Sequence, residues 1–67
     1  MKIKTIIKNM EEEVLREYDN ILYTPTDTLF VNNKSYSEWY LKDVLYENCI
    51  YRTIMLIPYY KEIEDDL

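Results

Sequence analysis

The chain has 67 residues, 48% of them hydrophobic, with thirteen acidic against eight basic side chains and a net charge of −5. One cysteine, no histidine and no glycine exclude an internal disulfide, an ordinary zinc set, histidine-based catalysis and a glycine-rich phosphate loop. A domain of this size buries only about 60% of the surface its unfolded chain exposes, so self-association or tightening against a partner is expected.

Along the first third, Ile3, Ile7, Met10, Val14, Tyr18 and Ile21 recur in steps of three and four, the spacing of a helix face. Two readings fit that spacing. One is a single helix from about residue 3; the other is a short strand over "KIKTII" and a helix from about residue 10 to about residue 20. Asn9 and Glu12 form a capping box, and Glu11, Glu12 and Glu13 suit the positive end of a helix dipole, which favours the second reading. "ILY" and "TLFV" are strand-like segments separated by the turn "TPTD", with Pro25 preset for its second position. "NNK" at 32–34 makes another break, because asparagine tolerates positive φ.

Ser35 and Glu38 make a second capping box that opens "SYSEWYLKDVLYEN", predicted as an amphipathic helix burying Tyr40, Leu41, Val44 and Leu45. "CIYRTIMLI" is rich in β-branched and aromatic residues and is predicted as a strand, ended by Pro58. The expected fold is α+β, two helices packed on a small, mostly antiparallel sheet in the order β-α-β-β-α-β. Residues 1–61 would form one compact domain, and residues 62–67 an acidic, frayed tail.

Composition also bounds function. Carboxylates are abundant, but so small a domain offers little room for a water-excluding cleft, so no enzyme activity and no cofactor are expected. "EIEDDL" lacks the ordered loop of a calcium site, which leaves no expected metal. Net negative charge and scattered basic residues argue against direct nucleic-acid binding, although stacked tyrosines keep a nucleotide-binding module as a minor alternative. No apolar run approaches the length of a membrane span, and the N-terminus lacks a signal-peptide core. With one free thiol, the expected location is the cytoplasm. The lack of glycine and alanine beside abundant Ile, Tyr, Lys and Asn favours A/T-rich codons, hence a low-GC bacterium, its phages or its plasmids.

On the predicted second helix, Trp39 and Tyr46 fall together away from the apolar face, with Lys42 and Asp43 between them. Together with Tyr59 and Tyr60 they form an expected aromatic partner-binding ridge. Glu12, Glu13 and Asp19, with Glu62, Glu64, Asp65 and Asp66 near the C-terminus, form an expected acidic surface for a basic patch on a larger protein. The four charges at 62–66, if extended, approach the charge spacing of a nucleic-acid strand, so mimicry is one form this binding could take. The expectation is an inhibitor or modulator of a larger cytoplasmic protein, one that handles nucleic acid or serves host defence, plausible as a phage or mobile-element product. The alternative is a self-associating assembly subunit whose ridge is a homodimer interface.

Overall fold

The structure, a computed structural model, describes the backbone of residues 2–62 and the side chains of residues 2–59. The described residues form seven strands: β1 (Lys2–Lys8), β2 (Val14–Asp19), β3 (Leu29–Val31), β4 (Lys34–Tyr36), β5 (Trp39–Tyr46), β6 (Cys49–Leu56) and β7 (Tyr60–Glu62). Among the described residues there is no helix, so the α+β expectation is overturned. The segment predicted as the first helix is β2 with its turn, and the segment predicted as the second is β4, β5 and the turn that follows. The split βαβ order falls with the helices. The strand at 2–8 is present, whereas "ILY" is irregular chain.

The strands form a four-stranded sheet in the order β2-β1-β6-β5 and a three-stranded sheet in the order β3-β4-β7. The larger sheet is two antiparallel hairpins, β1–β2 and β5–β6, joined through the parallel pair β1–β6. Its outer strands, β2 and β5, are therefore at opposite edges, and residues 20–38 must cross one face to connect them. That face becomes the core. Ile7, Ile54 and Leu56 from the large sheet meet Leu29, Val31 and Tyr36 from the small one, with Leu15, Tyr18, Tyr23 and Trp39 packed around them.

The turns explain why the hairpins hide in the sequence. Glu47–Asn48 links β5 to β6 and Asn32–Asn33 links β3 to β4, all four residues at positive φ between 50° and 61°. Two-residue turns with both residues at positive φ match the twist of the flanking strands. Glycine is the usual occupant, and this chain has none. Asparagine substitutes: Asn20, Asn32, Asn33 and Asn48 all take positive φ. Asn9 serves the β1–β2 turn differently, through its side chain. Its Oδ1 accepts from the backbone N–H groups of Glu11 and Glu13, at 3.0 and 2.9 Å. An asparagine at a helix start uses the same chemistry, so the capping signal was local and its setting was a hairpin.

Glu47, like Glu12 of the β1–β2 turn, is a costly member of this set, since a left-handed conformation costs a non-glycine residue roughly 1–2 kcal/mol and asparagine less. Glu47→Asn should raise stability by about 0.5 kcal/mol, and Glu47→Val should lower it by about 1 kcal/mol or more, read from urea unfolding midpoints.

Candidate functional site

Strand alternation gives the four-stranded sheet two unlike faces. The inner face carries Trp39, Leu41, Asp43 and Leu45 of β5 beside Leu56, Ile54, Arg52 and Ile50 of β6. The outer face carries Tyr40, Lys42, Val44 and Tyr46 beside Met55, Thr53, Tyr51 and Cys49. Lys2, Lys4, Ile6 and Lys8 continue it across β1, and Glu17 and Asp19 of β2 complete it.

The inner face is held by two polar anchors. Thr5, fully buried, donates through Oγ1 to the Ile21 carbonyl at 2.6 Å and accepts from the Tyr23 N–H at 3.1 Å. Arg52 donates through Nε and Nη2 to both carboxylate oxygens of Asp43, at 2.8 and 2.7 Å. Its Nη1 reaches Thr24 Oγ1 at 2.6 Å and the Tyr23 carbonyl at 3.4 Å. Tyr23 in turn stacks on Tyr18 with ring centroids 5.0 Å apart. Residues 21–24 are thereby fixed over β1 and β6.

Among the described residues, the outer face has no such cover. Tyr40 (63% exposed), Tyr46 (61%), Val44 (45%) and Tyr51 (36%) are open to solvent. An open groove of about 430 Å3 runs along it, lined by Lys8, Tyr40, Lys42, Val44, Thr53 and Met55. A second depression, about 350 Å3, lies between Lys2, Lys4, Asp19 and Tyr51. A hydrogen bond with the Cys49 side chain raises the Tyr51 phenol above its ordinary value.

These faces redistribute the sequence-predicted residues. Trp39 and Tyr46, seven positions apart, share a helix face but lie on opposite faces of a strand. Trp39 packs against the core and Tyr46 is exposed on the outer face, so the two do not form one ridge. Lys42 is on the outer face with Tyr46, whereas Asp43 is on the inner face, bound to Arg52. Tyr59 is exposed at 74% beside the bend at Pro58. Tyr60 enters β7 opposite Tyr36, and Glu62 opposite Lys34. The predicted buried set is also overturned: Tyr40, Leu41, Val44 and Leu45 are all exposed. Period-two alternation, read together with the Glu47–Asn48 turn, is the signal that marks them.

The acidic residues are largely engaged within the chain. Asp19 and Glu17 both lie within ion-pair distance of Lys4, at 3.8 and 3.5 Å, and Glu12 pairs with Lys8 at 3.5 Å. Glu13 accepts from the Asn9 amide at 3.0 Å. Glu64, Asp65 and Asp66 lie outside the described residues. Among the described residues, no three of the carboxylates and the thiol are grouped to hold a metal ion. No family model, curated protein or solved structure matches this chain.

The hydrogen bonds from Arg52 hold the Asp43 carboxyl below its ordinary value, against the opposing effect of burial. A carboxylate with a lowered folded-state pKa contributes stability above its unfolded value of about 4 and loses it as pH falls through the folded value. Wild type should therefore be more stable than Asp43→Asn at pH 7, and the difference in urea midpoint should shrink near pH 3.

Proposed function

We propose that this chain is a small non-catalytic binding protein that modulates a larger protein, docking through the outer face of its four-stranded sheet. The supporting observation is the contrast between the two faces: residues 20–38 pack over Ile7, Ile54 and Leu56 on one, whereas the other leaves Tyr40, Val44, Tyr46 and Tyr51 open to solvent. Tyrosine is enriched at interface hot spots because a rigid ring contributes contact area at low entropic cost. Lys42 and Lys8 flank the groove and would set register against carboxylates or carbonyls of the partner.

Long-range charge has a separate source. Residues 2–61 contain all eight basic side chains and nine of the thirteen acidic ones, so they nearly balance. Glu62, Glu64, Asp65 and Asp66 supply most of the net charge, and would steer the chain toward a basic partner. The proposed location is the cytoplasm, on the single free thiol of Cys49.

The test is quantitative capture from lysate of the producing cell, with the tagged full chain as bait. Tyr46→Ala should change stability by less than about 0.5 kcal/mol, and Tyr51→Ala, on a central strand and largely covered, by about 1 kcal/mol, both remaining folded. At least one should lose a partner that wild type retains, by about 30-fold, the effect of a hot spot of about 2 kcal/mol. Identical capture by wild type and both variants would remove the outer face as the docking surface.

A further inference from the structure

The two edges of the four-stranded sheet are built differently. β2 is six residues long, its pairing with β1 is broken by a register shift at Ile7/Lys8, and it carries Arg16, Glu17 and Asp19. Charges and bulges are the standard means of preventing an edge from pairing with another chain. β5 lacks them. It is eight residues long, pairs with β6 without a shift, and exposes Tyr40, Leu41, Val44, Leu45 and Tyr46. Its two charges are Lys42 and Asp43, and Asp43 is neutralised by Arg52.

The backbone of this edge is also oriented for pairing. The Ile57 N–H donates to the Glu38 carbonyl at 3.1 Å. In an antiparallel ladder bonded pairs alternate, so Tyr40, Lys42, Val44 and Tyr46 direct their N–H and C=O groups toward β6. Leu41, Asp43 and Leu45 direct theirs outward.

We infer that the β5 edge pairs with the β5 edge of a second copy, antiparallel about a two-fold axis at Asp43, to give one continuous eight-stranded sheet. The axis stands perpendicular to the sheet, so each face meets its own kind. On the outer face Tyr40 lies opposite Tyr46 of the second copy, and Lys42 opposite its Val44. On the inner face Leu41 lies opposite Leu45 of the second copy. All five exposed apolar side chains of β5 thus find partners in a single register, and the outward N–H and C=O groups of Leu41, Asp43 and Leu45 pair with one another. The two Asp43 carboxylates meet at the axis, each already bound by its own Arg52. The pairing closes on itself, because the remaining free edges are the guarded β2 strands. This inference goes beyond the outer-face reading and rests on a different observation, the asymmetry of the edges.

Sedimentation velocity of the full chain tests it. One strand seam is a small interface, so the dimer should form with a dissociation constant on the order of 10 µM. Leu45→Lys, a substitution at an exposed position, should weaken it by about tenfold or more. Leu45→Pro removes an outward N–H and should do the same without breaking the β5–β6 ladder. Arg16→Ala on β2 should leave dimerisation unchanged. A wild type that stays monomeric to about 200 µM, or association unaffected by both Leu45 variants, would overturn the seam. Either result alongside Tyr51-dependent capture would remove the second copy and leave the outer-face reading standing.

Discussion

The fold depends on how residues 20–38 are held against the inner face of the large sheet. A chain that leaves one edge strand and must return at the opposite edge has to cross a face, and here the crossing segment covers the core. Apolar contact alone would let such a segment slide. Thr5 and Arg52 give it a fixed register, because each hydrogen-bonds backbone or hydroxyl groups of residues 21–24. Leu29, Val31 and Tyr36 then pack with Ile7, Ile54 and Leu56 in one core.

This economy has consequences for the surface. With one crossing segment of nineteen residues (20–38), the chain covers one face of a four-stranded sheet and leaves the other in water. A two-sided sheet would ordinarily place polar residues outside. This one alternates lysines with tyrosines, valine and methionine, which is a surface able to meet protein. Leu41 and Leu45 of the edge strand β5 also remain exposed although they lie on the inner face. Local charge follows the same division, since the lysines of the outer face neutralise the carboxylates of β2 and the β1–β2 turn.

Part of this was legible in the sequence. "KIKTII" and "CIYRTIML" are β-branched segments, and they form the two central strands. "NNK" was readable as a break because asparagine tolerates positive φ. The helices were misread for two physical reasons. Tyr40, Leu41, Val44 and Leu45 satisfy a helical spacing, but so does any strand that is apolar on both faces, and only the turn beyond Tyr46 decides between them. That turn is Glu-Asn instead of Asn-Gly, so its usual marker is missing. The candidate site inherits the same error, since Trp39 and Tyr46 move to opposite faces once a period of two replaces 3.6. Tyr51 and Met55 lay in a correctly predicted strand, yet their exposure depends on which face the crossing segment covers, and that is a property of topology.

Thr5→Val tests the central constraint most directly, because it keeps side-chain shape while removing both hydrogen bonds to the crossing segment. Urea unfolding of the variant, compared with wild type at low protein concentration, should show a loss of about 1–3 kcal/mol, the cost of leaving the Ile21 carbonyl and Tyr23 N–H without partners. Amides of residues 21–24 should exchange with solvent faster by a corresponding factor. An unchanged midpoint with unchanged exchange in that segment would contradict the claim that these bonds hold the cover in place.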